Sequence, residues 1–303
     1  MAFALKRGRG VGAELRRLFQ EQLDAAIENL TGDDADVHAA RRRIKKARAI
    51  VHAARPALGR FYTSSNRRLR KAKHLLGPVT DANNVVGLLD RLRGFDLTLL
   101  PAANLTRLHA ALTLDAERVS RESADMRAKA VRLLMRQRDV LGDLDATACG
   151  VHATARALRR AHHDARAARK KALARPTTAT FHTWRRRTKL EWHLLRLVRD
   201  VVGGRLIDDE RRVGQLDACL GELHDLALLQ DHVRQRSPLS RSETARALRA
   251  IRRFERDVRR RARLQIDALD EPPRELERRV ASLWLSWRPR IEPSEGEPWR
   301  SLA

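Results

Sequence analysis

What most constrains this chain is a set of basic residues placed where a packed helix keeps its core. In VHAARRRIKKARAIVHAAR, from Val37 to Arg55, the residues His38, Arg41, Lys45, Arg48 and His52 recur at i, i+3, i+7, i+10 and i+14. On a helix of about 3.6 residues per turn that is one stripe, at the spacing normally held by Leu and Ile. Val37, Ala40, Ile44, Ala47 and Val51 form an apolar stripe beside it. The helix therefore has two inner faces, one apolar and one cationic. Turning the cationic stripe out to solvent is the plainer alternative, but the neighbouring apolar stripe leaves only a corner of the helix for that orientation.

The pattern occurs twice. A shift of 144 residues lays His182, Arg185, Arg186, Arg187 and Lys189 on His38, Arg41, Arg42, Arg43 and Lys45, so HxxRRRxK is repeated. The register continues without a gap through Arg67 and Arg68 on Arg211 and Arg212, Leu76-Gly77 on Leu220-Gly221, and Asp81 on Asp225. Arg on Arg is weak evidence in so basic a chain, whereas His, Gly and Asp coinciding at one offset are hard to obtain by chance. The sequence reads as an internal duplication.

Charge narrows the partner. The 303 residues carry 63 Lys and Arg against 38 Asp and Glu, a net charge of +25. Such a chain repels itself unless it meets a polyanion: nucleic acid, an anionic membrane or a polymeric phosphate. With 43% hydrophobic residues in periodic stretches it folds rather than staying disordered. Aromatic residues are only 4%, which counts against base-stacking platforms. Cys149 and Cys219 have no metal-ligand spacing and read as buried thiols of a reducing compartment. No secretory leader and no apolar run long enough to span a membrane is visible, so a soluble, cytoplasmic protein is expected.

Along the chain every periodic segment is helical, and strand-like alternation is absent, so the class is all-α. Residues 2–12 read as a loose basic N-terminus. Helical patterns follow over Ala13–Leu30, from Val37 to about Arg55, over Phe61–Leu76 and, after a break at Gly77-Pro78, through TDANNVVGLLDRL. Asp33, Asp34 or Asp36 can cap the second of these. In the third, Arg67, Arg70, His74, Gly77 and Asp81 share a stripe. The segment from Ala102 to Leu144 reads as two helices or one kinked helix, with Leu105, Leu108, Leu112, Val119, Met126, Leu133, Leu134 and Val140 as core candidates. Gly150 marks a boundary. Helices are then expected from Val151 to Pro176, through His182 to Gly203-Gly204, over Asp208–Asp231, over Ser240–Leu269 and from Pro272-Pro273 to LWLSW. The expected organisation is a first helical half, 1–150, a second half, 151–288, and a tail, 289–303.

On the duplicated HxxRRRxK helix and the duplicated LGxx[TH]D stretch, the chain resembles the CHAD family, the conserved histidine α-helical domain, over roughly residues 10–270. The resemblance implies two pseudo-symmetric helical bundles with a basic groove or pore between them, and the binding of inorganic polyphosphate, in some members on polyphosphate granules. The β-rich tunnel domain that often accompanies the family has no counterpart here. Carried over residue by residue, the ligand surface is His38, Arg41, Lys45 and Arg48 in the first half, and His182, Arg185 and Lys189 in the second. The candidate polyphosphate-binding set is completed by Arg42, His52, Arg67 and Arg70, and by Arg186, Arg196 and Arg211. The second copy departs at Trp192, where the first has Arg48, and at Gly214, where the first has Arg70, which makes the groove asymmetric.

The chemistry suits a polyanion. Arg offers forked donors, Lys a compact charge and His a donor whose charge grows as pH falls. Neither HxxR copy carries a nearby carboxylate to orient its histidine, so a histidine-dependent phosphohydrolase is disfavoured and no catalytic residue is assigned. His152, His162, His163, His224 and His232 are scattered, and neither a metal site nor a cofactor is expected. Asp81 and Asp225 read as counter-ions to Arg41 or Arg67, and Trp184 and Trp192 as packing residues. The basic run from Arg241 to Gln265 has interspersed acids and reads as a solvated face. Three readings are carried, in this order: a polyphosphate-binding protein without catalysis, a nucleic-acid-binding protein that uses the same charge without sequence readout, and third the histidine-dependent phosphohydrolase.

Overall fold

The computed structural model describes residues 3–32, 35–59, 61–93, 101–139, 149–236, 238–266 and 270–286. Among them are twelve helices and no strand. They are α1 (Val11–Thr31), α2 (Val37–Ala53), the short α3 (Arg55–Leu58), α4 (Phe61–Leu75), α5 (Gly77–Arg93), α6 (Ala102–Arg121) and α7 (Ala124–Asp139). There follow α8 (Val151–Ala174), α9 (Thr178–Val198), α10 (Ile207–Gln235), α11 (Arg241–Leu264) and α12 (Pro273–Ser286).

Local sequence sets the helix ends. Asp36 accepts a bond from the Ala39 amide at 2.8 Å and opens α2; Asp33 and Asp34, the other cap candidates, lie outside the described residues. Thr177 with Thr180 and Ser240 with Glu243 form reciprocal caps at the starts of α9 and α11. Gly203 and Gly204, at φ 63° and 73°, turn the chain after α9 in a region that other residues enter at a cost. Leu76 alone separates α4 from α5, because Pro78 cannot continue a helix. In α10 the equivalent Gly221 is followed by Glu222, and the helix runs through.

α2 is central, with α1, α4, α8 and α9 packed around it. α1, α2, α4 and α7 close one bundle. In the other, α9 lies between α8 and α10, α11 packs on α10, and α12 packs on α8. The bundles meet where α2 touches α9 and where α5 touches α10. On α2 the apolar stripe is inside as expected: Val37 and Val51 are buried, and Ala40, Ile44 and Ala47 are wholly so. Each fully buried Val or Ile contributes about 1.5–3 kcal/mol, which holds α2 in one orientation. The cationic stripe is held half inside as a result.

Three expectations are corrected. The N-terminus is not loose, for Phe3, Ala4 and Leu5 are buried. The Leu5 amide bonds the Leu197 carbonyl at 2.8 Å, and the Arg7 guanidinium bonds the Val201 and Trp284 carbonyls. Only three apolar residues drive this docking, too few to stand out beside the basic LKRGRG that follows. α2 stops at Ala53, two residues early, and α3 resumes after Ala54. Met126 is 41% exposed, because the first turn of a helix is covered on fewer sides than its middle. Leu105, Leu108, Leu112 and Leu134 are buried, Val119 and Leu133 pack partly against the core, and Val140 lies outside the described residues, as does the tail 289–303.

A candidate anion-binding groove

Where α2 meets α9, the two helices and parts of α4, α5 and α10 enclose a groove of about 850 Å³. Eleven Lys and Arg residues line it against two carboxylates, Asp81 and Asp217. Both carboxylates are already engaged: Asp81 accepts from Arg41 at 3.2 Å and Asp217 from Lys189 at 2.5 Å. The remaining cations repel one another and favour an anion between them.

The structure brings together ten of the residues singled out in the sequence. His38, Arg41, Arg42, Lys45 and Arg48 reach the groove from α2, and His182, Arg185, Arg186, Lys189 and Arg196 from α9. Four do not line it. Arg67 and Arg70 are exposed on α4, although Arg70 stays close enough to Arg48 and Arg186 to act on their charge. Arg211 is bonded to Asp208, three residues before it, at 2.7 Å. His52 opens into a different cavity. Sequence reasoning missed Lys46, Lys73 and His193 as lining residues, and His224 it placed among scattered histidines. Lys73 was within reach of spacing alone, three residues after Arg70 and four before Gly77. His224 stands at the variable position of the LGxx[TH]D repeat.

Arg41 and Arg185 each lie beside the glycine of an LGxx[TH]D stretch. Arg41 Nη1 donates to the Gly77 carbonyl at 2.9 Å as well as to Asp81. Arg185 lies over Gly221, where an added Cβ would stand 3.6 Å from Nη2. Asp81 thus serves Arg41 as expected. Asp225 takes its hydrogen bond from Asn84 of the other half, at 3.5 Å, and burial raises its pKa against the pull of Arg185. Arg48 is aimed by Asn66, whose side-chain oxygen accepts from Nε at 3.1 Å and Nη2 at 3.0 Å.

Trp192 and Gly214, the two positions at which the later stretch departs from the earlier one, are in contact with each other. The Trp192 indole lies against Gly214, so close that a Cβ there would come within 2.8 Å of Nε1. Lys189 and Arg196 sit over the same ring at 4.1 and 5.0 Å. Where the first half has a second-layer arginine, Arg70, near Arg48, the second has an indole seated on a glycine. Trp184, by contrast, is buried packing, as expected.

Burial and like charge leave their mark on the lining. Desolvation, then Lys189, Arg41 and Arg185, lowers Lys45 to about 7. Lys46 falls to about 8 through desolvation, then Arg43 and Arg196, and Lys73 to about 8 through desolvation, then Arg48 and Arg41. Arg48 is lowered to about 10 by burial, then Arg186 and Arg70. His38 and His182 are lowered by burial, then by neighbouring Arg and Lys, and His224, 5.0 Å ring to ring from His182, falls to about 4. His193, packed between Phe3 and Trp192 with neither ring nitrogen bonded to protein, is held neutral.

Among the described residues no group of His, Cys, Asp or Glu has the arrangement of a metal site, and no helix is long and apolar enough to cross a membrane. Cys149 and Cys219 are both buried, and neither forms a disulfide among the described residues.

The chain matches the CHAD domain over residues 17–234, which spans α1 to most of α10. Its fold is similar to that of PptA from Streptomyces chartreusis, with a TM-score of 0.55 at 16% sequence identity, covering 90% of this chain and 99% of that one. No curated protein matches it.

Gly214→Ala tests the coupling at Trp192. The new methyl forces the indole out of its seat, at a cost of about 1–3 kcal/mol in stability, and shifts tryptophan emission as Lys189 and Arg196 lose the ring. Unchanged emission and unchanged denaturation midpoint would show that Trp192 does not depend on the glycine.

Proposed function

The chain belongs to the CHAD family, and we propose that it binds inorganic polyphosphate in the groove between α2 and α9. The observation that carries this is the lining itself: eleven cations against two carboxylates that are already bonded, with Lys45 and Arg48 sunk between the helices. A thin, unbranched chain of phosphates offers charge on every side and fits a cleft walled by cations on both. Lys45, Lys73, Arg48, Arg185 and Arg186 are the direct contacts in this reading, with His38 and His182 donating at the rim, while Asp81, Gly77 and Asn66 aim the arginines. Arg67 and Arg211, away from the lining, add only to the surrounding field. The protein is then expected where the polymer gathers, in the cytoplasm and at polyphosphate granules.

Residues 1–150 and 151–288 are taken as two copies of one helical unit. At the 144-residue offset α1 falls on α8, α2 on α9, the joined α4 and α5 on α10, α6 on α11 and α7 on α12, and this order supports the duplication.

Two other chemistries fit the groove less well. A nucleic acid would bring bases into it, and apart from histidine the lining has one aromatic side chain, Trp192, already covered by Lys189 and Arg196. A histidine-dependent phosphohydrolase needs a carboxylate to orient the imidazole. The His182 ring instead lies 5.0 Å from that of His224, tilted by 51°, and among the described residues neither bonds a carboxylate.

Removing Lys45 and Lys73 together by Lys45→Ala and Lys73→Ala deletes two charge-assisted contacts, each worth about 1.5–3 kcal/mol. Polyphosphate affinity, read by titration calorimetry, is expected to fall about a hundredfold or more. Arg252→Ala with Arg256→Ala, on the exposed face of α11, is expected to change it by less than about twofold. Equal losses from the two pairs would make the charge diffuse and end the site reading.

The lowered lysines add a pH dependence. An unfolded lysine keeps its proton to about pH 10.4, whereas folded Lys45, Lys46 and Lys73 release theirs near 7 to 8. The free fold therefore gains stability as pH rises from about 7 toward 10. Bound phosphate favours the charged lysines, so binding takes up protons in the same window and weakens as pH rises. Calorimetry at about pH 8 in two buffers of different ionisation enthalpy should read an uptake of about one proton or more; zero uptake with affinity flat from about pH 6 to 9 would contradict the burial of these lysines.

A further inference from the structure

α11 carries its charge on one side. Arg246, Arg249, Arg253, Arg256, Arg260 and Arg263 recur at i, i+3, i+7, i+10, i+14 and i+17, and all six are exposed. With Arg252 at its edge, the row covers an arc of about 120° and runs about 26 Å along the helix. Every exposed residue from Arg246 to Arg263 is an arginine. The opposite side of the helix, with Ala247, Ala250, Ile251, Phe254 and Val258, is buried, so packing holds the arginine face outward. The acids that interrupt this run in sequence do not interrupt it in space. Glu243 accepts from Arg107 of α6 at 2.5 Å, Glu255 from Arg259 at 2.7 Å, and Asp257 from Arg261 at 3.0 Å as well as from Arg260 of the row at 2.7 Å. Arg246, Arg249, Arg252 and Arg256 meet no carboxylate among the described residues.

The fold does not call for such a face. α6, which falls on α11 at the 144-residue offset, exposes Thr106, Ala110, Leu114, Glu117 and Arg118 instead. Like charges three and four residues apart weaken a helix, so the row is a cost to the free protein. Nor is it a general solubilising surface of mixed cations, for α11 contains no lysine. Arginine offers the planar fork that grips two phosphate oxygens, where lysine offers a point charge. A straight, outward row of forks fits a partner that is itself a straight array of phosphates, and a nucleic-acid duplex carries one charge per about 1.7 Å of its axis. A single strand fits less well, because Phe254, the one aromatic residue of α11, is buried and leaves nothing to stack on a base. A membrane surface fits less well too, since the row has no apolar side chain to enter the lipid. The B-form major groove, about 12 Å wide, admits a helix, whereas that of an RNA duplex is deep and narrow. No residue of α11 lines the groove between α2 and α9.

We propose that the outer face of α11 is a docking surface for double-stranded DNA, held through its phosphates without sequence readout. The surface is independent of what fills the groove. With polyphosphate in the groove and a duplex on α11, one chain holds two polyanions at separate places.

The test titrates the full chain with a short labelled DNA duplex of mixed sequence at several salt concentrations, beside its single strand, an RNA duplex of the same sequence, and phosphatidylglycerol vesicles. Two variants are compared with it: Arg249→Gln with Arg252→Gln and Arg256→Gln on α11, and Lys45→Ala with Lys73→Ala in the groove. The DNA duplex should bind the unaltered chain more tightly than the other three probes. The α11 variant should lose about tenfold or more of that affinity, and its salt dependence about one unit of slope per arginine removed. Long-chain polyphosphate should bind the α11 variant within about twofold of the unaltered chain, which also reports an intact fold, and the groove variant should keep its duplex affinity within the same range. Duplex affinity and slope that do not change in the α11 variant would overturn the surface while leaving the groove standing. Loss of duplex binding in the groove variant instead would place the DNA in the groove and overturn the surface. Tighter binding to the RNA duplex or to the vesicles, dependent on the same three arginines, would overturn the assignment to DNA.

Discussion

Repulsion between like charges that cannot move apart is the constraint on which this structure turns. Lys189 on α9 is close enough to Lys45 on α2 to oppose its proton, and Arg41, Arg185 and Lys73 press on the same space. Free side chains would swing into water. These are held because α2 is locked by Val37, Ala40, Ile44, Ala47 and Val51 in the core, and α9 by buried Trp184, Leu194, Leu195 and Val198. Hydrophobic burial thus stores an electrostatic strain that an anion can relieve, and stability of the empty fold is traded against affinity for a polyanion.

The halves meet this constraint differently. In the first, Arg48 is backed by Asn66 and stands near Arg70. In the second, Trp192 rests on Gly214 and spreads the charges of Lys189 and Arg196 over its ring. One wall is therefore richer in guanidinium and the other partly screened by an indole. The docked N-terminus belongs to the second wall, with Phe3 against His193 and Lys46 over the Phe3 ring at 5.4 Å. Phe3 so becomes part of the support beneath the groove.

Periodicity made much of this legible. The two stripes of α2, the break at Gly77-Pro78 and the single-offset match of His182, Gly221 and Asp225 were enough for an all-α fold with a basic cleft, because spacing on a helix is spacing in space. Residues that depend on a neighbouring helix were less visible. His193 belongs to the lining only through the angle at which α9 meets α2. The contact between Trp192 and Gly214 joins α9 to α10, so two departures that are 22 residues apart in sequence could not be recognised as neighbours. Phe3 and Leu5 were hidden by the basic residues after them, whose charge suggested a free end, whereas the Leu5 amide is pinned to the Leu197 carbonyl and the Arg7 guanidinium to that of Val201.

The most direct test of the central claim is a competition titration at near-physiological salt, with labelled long-chain polyphosphate bound and duplex DNA, RNA and free phosphate as challengers at matched phosphate concentration. Displacement by none of the three is the expected result under the proposed polyphosphate reading, because the cations line a cleft that, histidine apart, has one aromatic side chain, Trp192, on which a base could stack. If DNA or RNA competes on equal terms, the net charge of +25 acts as a general polycation and the groove between α2 and α9 is not the binding site.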